Sequence, residues 1–423
     1  MTGGCIWKGV ALGAVLACSL NAATADAQQA AAPAWVAAWG TALQPIPALA
    51  DPPPLYRAPA VAGRTVRQIV YPTLSGATLR LRVSNLYGKT PLVIEHLQIA
   101  QAAGGAAIRA GSTAALSFGG QQGIRLAPGQ EIDSDPLSYP LRAGEPYALS
   151  AYLGGAQTMT VWHRVSNQSN YVSAPGDHSG DAEAGAYRER FTQFAWLNEL
   201  DVTAQPGGFA VAAIGDSITD GLRSSINANH RWPDGLARRL AGLGAANVGV
   251  INLGISGNRL LSDSACYGTA LERRFAHDAL GGSGVKAVAL LIGINDINFA
   301  AMPSHGGLDC DTPHTQVDAR MLIEGYQRLI AEAHQRGVRI YGATLTPADL
   351  PPVREALRQS VNQWIRNAGA FDGVIDFDAA LRDPRQPARL QARYDSGDGI
   401  HPSDAGYALM ADTVPEKIFG ETR

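Results

Sequence analysis

The chain has 423 residues, of which 46% are hydrophobic and 17% are charged, and its formal net charge is −3. A chain of this length exceeds one ordinary hydrophobic core, so we expect two domains. A net charge so close to zero gives no long-range electrostatic attraction for nucleic acid or an anionic membrane surface, and we expect neither as a partner.

The first 27 residues have the pattern of an export signal. Lys8 supplies a positive charge, residues 9–20 form an apolar stretch too short to span a bilayer, and Ala25-Asp26-Ala27 has the form of a cleavage site. We therefore expect a signal peptide over residues 1–27, a linker over 28–34, and a secreted or periplasmic protein. A membrane anchor and lipidation at Cys18 are the alternatives, and no later segment is apolar enough to span a membrane.

Four cysteines occur in the chain, and two of them, Cys5 and Cys18, would leave with the signal peptide. The remaining pair, Cys266 and Cys310, is expected to form a disulfide in an oxidising compartment. Two free or buried thiols are the alternative. Neither cysteine has the spacing of a metal ligand, so we expect no metal site.

Residues 35–204 have the pattern of an antiparallel β-sandwich or jelly roll. Residues 65–71 and 79–83 alternate apolar with polar side chains, which is the period of a half-buried strand. Further short runs lie at 92–99, 114–118, 147–153 and 159–163, separated by Gly, Pro, Asn and Asp. This domain either faces the substrate or packs against its neighbour, and we favour packing.

A Gln-Pro-Gly-Gly stretch at 205–208 marks a boundary, and from residue 205 to residue 423 strands alternate with helices. The predicted buried strands are 209–214, 248–253, 285–292, 338–345 and 374–377, and the clearest helices are 317–335 and 353–367. This alternation specifies an open parallel α/β sheet with helices on both faces.

Four polar blocks follow these predicted strands. They are GDSITDG at 215–221, NLGISGN at 252–258, GIND at 293–296 and DGIHP at 398–402. In open α/β sheets the ligand site lies beyond the carboxyl ends of the strands, so all four blocks are expected to meet at one rim.

These blocks resemble those of the SGNH (GDSL-type) hydrolases over about residues 208–415. The resemblance implies a flavodoxin-like three-layer fold with five parallel strands, a secreted esterase with an N-terminal β domain, and no cofactor. It also implies a nucleophile at Ser217, a base at His401 with Asp398 behind it, and oxyanion donors at Gly257 and Asn295. Ile294 stands where the family often has a small residue.

The chemistry of these side chains is consistent with that assignment. A serine hydroxyl is a weak nucleophile and needs a base within hydrogen-bond reach, and His401 is such a base. Asp398 would fix the imidazole tautomer, and the N–H groups of Ser217 and Gly257 with the amide of Asn295 would bind the oxyanion.

Several alternatives accompany these assignments. Ser217 would otherwise cap a helix, Asn295 would be a turn residue, and Asp395 or Asp404 would replace Asp398. We interpret Asp216 and Asp296 as structural. We also expect three further parts of the chain to line the pocket: Asn258, Arg259 and residues 263–269.

We therefore expect a serine esterase that hydrolyses a small acyl ester or an acetylated polysaccharide through an acyl-enzyme. An acyltransferase with the same intermediate is one alternative. A carbohydrate-binding protein without catalysis is the other.

Overall fold

The structure is a computed structural model that describes residues 1–4, 34–47, 49, 51–304 and 306–420. The expected signal peptide and all of the expected linker except Ala34 lie outside the described residues, apart from residues 1–4. Within the described part of the chain, no helix has both the length and the apolar character needed to cross a membrane.

The strand-rich part of the chain contains two larger antiparallel sheets and two antiparallel sheets of two short strands each. Its strands are β1 (Trp35–Gly40), β2 (Gln44–Pro45), β3 (Arg64–Val70), β4 (Gly76–Ser84), β5 (Leu92–Ile94), β6 (His96–Gly104), β7 (Ala107–Ile108), β8 (Ala114–Ala115), β9 (Ile124–Leu126), β10 (Glu131–Asp133), β11 (Leu137–Leu141), β12 (Tyr147–Leu153), β13 (Val161–Trp162), β14 (Asn170–Pro175), β15 (Tyr187–Phe191) and β16 (Leu197–Thr203). One larger sheet has the order β1-β16-β4-β10, with β11 also on β4; the other larger sheet has the order β15-β14-β3-β12-β6-β7, with β8 also on β6.

The two larger sheets bury their facing side chains in one core, as a sandwich requires. In β4, Leu79, Leu81 and Val83 are fully buried while the intervening Arg80 and Arg82 are half-buried, so the predicted alternation is confirmed. Buried side chains of both sheets, including Leu81 and Leu149, belong to the same hydrophobic cluster.

The second half of the chain alternates strands with helices. The strands are β17 (Phe209–Gly215), β18 (Val248–Gly254), β19 (Val285–Leu291), β20 (Arg339–Ala343) and β21 (Gly373–Ile375). The helices are α1 (Ser217–Asp220), α2 (Trp232–Gly242), α3 (Leu271–Asp278), α4 (Ile294–Phe299), α5 (Ala319–Gln335), α6 (Pro352–Asn367), α7 (Phe377–Leu381) and α8 (Asp404–Thr413).

These five strands form one parallel sheet in the order β18-β17-β19-β20-β21. Counted along the chain this is the order 2-1-3-4-5 of flavodoxin-like folds, whose ligand site lies where the order reverses, at the first and third strands. The strands are almost entirely buried because both faces of a parallel sheet are covered. The predicted flavodoxin-like fold is confirmed.

The two halves meet along β18, which is an edge strand of the parallel sheet. The Thr73 hydroxyl accepts the Val250 N–H at 2.9 Å and lies 2.9 Å from the Val250 carbonyl oxygen, so it occupies part of the open edge. Gly249 permits a close backbone approach, because a Cβ there would lie 2.3 Å from the Ala37 carbonyl oxygen. The described residues from Ala34 onward form one compact unit, and the domain boundary near residue 205 stays a prediction.

Several predicted bounds were wrong in detail. The run 92–99 divides at Glu95 into β5 and β6, and the runs 114–118 and 159–163 contain only two-residue strands. The last predicted strand ends at Ile375, because the Asp376 side chain accepts the Ala379 N–H and caps α7.

Candidate active site

Ser217 begins α1 directly after β17, in the first of the four polar blocks. Asp216 is the N-cap residue, and its Oδ1 accepts the Ile218 N–H at 3.0 Å. The alternative that Ser217 caps the helix is therefore wrong. The Ser217 hydroxyl instead lies 2.8 Å from Nε2 of His401, which is hydrogen-bond distance.

His401 and Asp398 share one short loop before α8. Asp398 Oδ2 lies 2.8 Å from Nδ1 of His401, and Asp398 Oδ1 accepts the backbone N–H groups of Ile400 and His401 at 3.0 and 2.8 Å. Burial by itself would raise the pKa of Asp398, but these hydrogen bonds and the imidazole hold that pKa well below its usual range. The carboxylate is thus ionised where it faces the imidazole.

The two competing carboxylates have other partners. Asp395 Oδ1 accepts the N–H groups of Gly397 and Gly399, while Asp404 accepts from Ser225 and contacts His230 Nδ1 at 2.7 Å. Asp398 is therefore the carboxylate that contacts His401.

Gly257 follows β18 with a left-handed backbone, at φ 84°. A Cβ at this position would lie 2.3 Å from Cδ1 of Tyr267, so both the conformation and the space require glycine. Among the described residues, the backbone N–H groups of Ser217 and Gly257 have no protein acceptor. Both are available to a ligand oxygen.

Asn295 belongs to α4, so it is not a turn residue. Its Nδ2 donates one hydrogen to the Asn258 carbonyl oxygen at 3.0 Å, which fixes the amide and leaves its second hydrogen available. Ser217, Gly257 and Asn295 all line one cavity with His401. Three N–H donors and a serine–histidine pair thus face the same space, which is the arrangement that acyl transfer requires.

This cavity has a volume of about 190 Å³. Its walls are Arg164, Ser217, Leu222, Ser256, Gly257, Tyr267, Ile294, Asn295, Asn298, Phe299, Ala348, Ile400 and His401. Tyr267 comes from the predicted loop 263–269 and stacks on Phe299 with ring centroids 5.3 Å apart. The cavity is small and its walls are largely apolar, so its size and surface suit a short acyl group.

The expectation that Asn258 and Arg259 line the pocket was wrong. Asn258 is fully buried and donates to the carbonyl oxygens of Tyr267 and Thr269, both at 2.8 Å. Arg259 is buried and donates to the carbonyl oxygens of residues 311–313 and 263. Both side chains donate hydrogen bonds to backbone carbonyl oxygens of loops, outside the cavity itself, so they fix the loops that form the pocket wall.

Asp216 and Asp296 lie behind the pocket and are fully buried. Burial raises the pKa of Asp216 to about 7 and that of Asp296 to about 6. Asp296 accepts the N–H groups of Leu260 and Leu261 at 2.8 and 3.0 Å and so fixes the chain that follows Gly257. Their contacts agree with the structural interpretation.

Cys266 and Cys310 form a disulfide, as predicted, with their Cα atoms 5.2 Å apart. It joins the loop after β18 to the loop after α4. These loops adjoin Gly257 and Asn295, so the bridge limits the relative movement of two N–H donors that face the cavity. In the described ranges, no group of three His, Cys, Asp or Glu side chains is arranged to hold a metal ion.

Three residues near the site were missed by the sequence reasoning. His163 Nε2 lies 3.0 Å from Asp220 Oδ1 in the turn that begins with Ser217, and Arg164 lines the cavity. Arg274 is buried in α3 and donates to the carbonyl oxygens of Gly215 and Leu253, both at 3.0 Å, at the ends of β17 and β18. No local pattern marks any of them, since each acts through contacts far along the chain.

Comparison with known proteins gives one family and several solved structures. Residues 213–409 match the model of the GDSL-like lipase/acylhydrolase family. No curated protein sequence matches the chain.

A lipolytic protein of the G-D-S-L family from Desulfitobacterium hafniense DCB-2 has 19% identity, covers 49% of this chain and 97% of its own, and gives a TM-score of 0.37. An acetylxylan esterase from Geobacillus stearothermophilus has 21% identity; the match covers 51% of this chain and 98% of the esterase, with a TM-score of 0.37. An acylhydrolase from Bacteroides fragilis NCTC 9343 has 17% identity; the match covers 52% of this chain and 91% of the acylhydrolase, with a TM-score of 0.34.

Proposed function

We propose that residues 213–409, which match the model of the GDSL-like lipase/acylhydrolase family, form an ester hydrolase domain that hydrolyses carboxylic esters through an acyl-enzyme on Ser217. The observation that carries this proposal is the 2.8 Å contact between the Ser217 hydroxyl and His401 Nε2. A serine paired with an imidazole has the base that its hydroxyl needs.

In acylation, His401 takes the Ser217 proton while Oγ attacks the ester carbonyl carbon. The C–O bond to the alcohol then breaks, and the alcohol leaves with the proton from His401. Asp398 holds the imidazole orientation and stabilises the imidazolium. In deacylation, water attacks the acyl-serine with His401 again as the base, and the carboxylic acid and the free serine are released.

The tetrahedral oxyanion of each step binds the free N–H groups of Ser217 and Gly257 and the Asn295 amide. One such donor typically contributes about 10²–10³ in rate. Asn258 and Asp296 support this role indirectly, because they hold Asn295 and the chain after Gly257 in place.

The substrates we propose are short acyl esters, including O-acetyl esters of carbohydrates. A cavity of about 190 Å³ is below the usual range of about 300–1,000 Å³ for ligand pockets, and this favours an acetyl or similarly short acyl group. We also propose that the export signal expected at residues 1–27 directs the protein out of the cytoplasm, where acetylated polysaccharides are accessible.

Hydrolysis of chromogenic 4-nitrophenyl esters of increasing acyl length, alongside acetylated polysaccharides, tests the proposal. We expect the highest kcat/KM for the shortest acyl groups and complete loss of turnover in Ser217→Ala. Ser138→Ala, at an exposed serine of β11, is the matched control and should retain activity. Full turnover by Ser217→Ala would exclude the mechanism. Acyl transfer to an added alcohol faster than to water would indicate a transferase.

A further inference from the structure

Arg164 carries a positive charge from the sandwich half into the wall of the cavity that holds Ser217 and His401. It follows β13 and His163, and its side chain reaches the loop after β18. Its Nη2 donates to the Ser256 carbonyl oxygen at 3.4 Å, directly before Gly257. The guanidinium is therefore next to the oxyanion donors.

Two aromatic rings hold this guanidinium in place. Its Cζ lies 5.3 Å from the ring centroid of Tyr56 and 5.8 Å from that of Tyr267. Such contacts orient an arginine without neutralising it, because an aromatic face carries no net charge. The Tyr56 hydroxyl in turn lies 3.5 Å from Cys310 Sγ, so the disulfide region adjoins the same group.

Within the described part of the chain, Arg164 has no carboxylate partner, unlike the buried Arg274 and Arg358. The buried Arg67 and Arg259 also lack one there, but each donates to four backbone carbonyl oxygens, whereas Arg164 donates to one. Arg274 contacts Asp278 at 2.9 Å, and Arg358 contacts Asp378 at 2.7 Å. Of the carboxylates in the described ranges, none lies within 4.0 Å of Arg164, and its Nε is buried without a hydrogen-bond partner. A buried N–H donor without an acceptor is unfavourable, and an acceptor oxygen of a ligand would satisfy it.

We propose that Arg164 selects esters that carry a carboxylate close to the scissile ester bond. This inference rests on the proposed esterase function. A guanidinium presents a planar set of N–H donors that matches a carboxylate, so such a substrate would satisfy the free donors of Arg164 while its ester carbonyl occupies the oxyanion site. The carboxylate is carried by either the acyl or the alcohol part of the ester.

Asp311 is the acidic side chain that opposes this selection. Burial raises the pKa of Tyr56 and of Tyr267, the two tyrosines that contact Arg164; the charge of Asp311 raises both pKa values further, whereas the charge of Arg164 lowers them. Removal of the Asp311 charge should therefore strengthen the preference for an anionic substrate.

Two matched substrate pairs test the proposal with the full chain. In the acyl pair, 4-nitrophenyl butyrate is compared with mono-4-nitrophenyl succinate; in the alcohol pair, methyl 4-acetoxybenzoate is compared with 4-acetoxybenzoate. We expect kcat/KM for the wild type to favour the anionic member of at least one pair by about tenfold. Arg164→Gln should abolish this ratio, and the ratio is the readout because the neutral member of each pair corrects for any general loss of turnover. Asp311→Asn should increase it.

A wild-type preference for the neutral member of both pairs would overturn the proposal, whatever the variants do. An unchanged ratio in a folded Arg164→Gln protein would also overturn it. If that variant does not fold, Arg164→Lys, which keeps the charge and loses the planar fork, should retain part of the preference, and an unaltered ratio there counts against the proposal. Failure of the esterase function is distinct, because no ester of either pair would then be hydrolysed in a Ser217-dependent way.

Discussion

Nε2 of His163 lies 3.0 Å from Oδ1 of Asp220, and this contact links the sandwich half of the chain to the turn that carries Ser217. The other carboxylate oxygen, Asp220 Oδ2, accepts both the N–H and the hydroxyl of Ser256, at 2.9 and 2.6 Å. Ser256 directly precedes Gly257. One buried carboxylate thus joins the turn that carries Ser217, the loop that precedes Gly257, and the sandwich.

We expect His163→Ala to lower kcat by about tenfold with a smaller change in KM. The substitution leaves Asp220 buried without its imidazole partner, so the carboxylate would pull the Ser256 loop out of position. Steady-state kinetics and thermal melting measure the effect. His96→Ala is the control, since His96 also contacts an aspartate in the sandwich but is exposed. Equal kcat in both variants would contradict the positioning role.

Gly257→Ala should reduce kcat by about 10²–10³, because the new Cβ would meet the Tyr267 ring and the N–H donor would move. The measurement is kcat on a short-chain ester together with circular dichroism to establish folding. Gly242→Ala is the matched control, since a Cβ there meets nothing within 4 Å. A folded, fully active Gly257→Ala protein would show that this N–H does not bind the oxyanion.

The sequence predicted the parts of the site that lie in loops directly after strands. Ser217, Gly257 and Asn295 follow β17, β18 and β19, and the carboxyl ends of parallel strands share one edge, so their convergence follows from topology alone. The disulfide followed from counting cysteines.

Long-range contacts account for what the sequence did not predict. His163 and Asp220 are 57 positions apart, and nothing in either segment identifies its partner. Arg259 resembles a surface cation in sequence but is buried because loop carbonyls surround it. Strand β1 was not predicted because its alanine-rich sequence lacks alternation, and it is held instead by pairing with β16 far along the chain.

Asp216 gives the protein a distinctive dependence of stability on pH. Burial raises its pKa to about 7 in the folded state, from 3.8 as the ordinary value. The folded state therefore keeps a proton that the unfolded chain has lost. The stability from this group is complete below its unfolded pKa and is lost as pH rises through about 7.

When the pH rises from 5 to 8, the free energy of unfolding of Asp216→Asn should accordingly fall less than that of the wild type. Chemical unfolding at both pH values gives the difference in the free energy of unfolding for each protein. Comparing the two proteins removes the contribution of titrating groups that do not interact with Asp216, so the difference reports Asp216 and its carboxylate neighbours Asp296 and Asp220. Parallel pH profiles for the wild type and the variant would refute the raised pKa.

Loss of the Cys266–Cys310 disulfide should lower the free energy of unfolding by about 2–4 kcal/mol and also reduce turnover. The stability loss follows from the longer unconstrained loop in the unfolded chain, and the turnover loss from freer movement of the two oxyanion loops. Melting and kinetics with and without reductant, and of Cys266→Ser/Cys310→Ser, measure both effects. An unchanged melting temperature under reductant would count against the bridge.

The central claim is that Ser217 carries the acyl group, and it is tested most directly by trapping that intermediate. Enzyme mixed with 4-nitrophenyl acetate and quenched in acid within the first turnover is digested and analysed by mass spectrometry. We predict one acetyl group on the peptide that contains Ser217 in the wild type and none in Ser217→Ala. Hydrolysis that continues in Ser217→Ala, or an acetyl group consistently found on a different residue, would contradict the account.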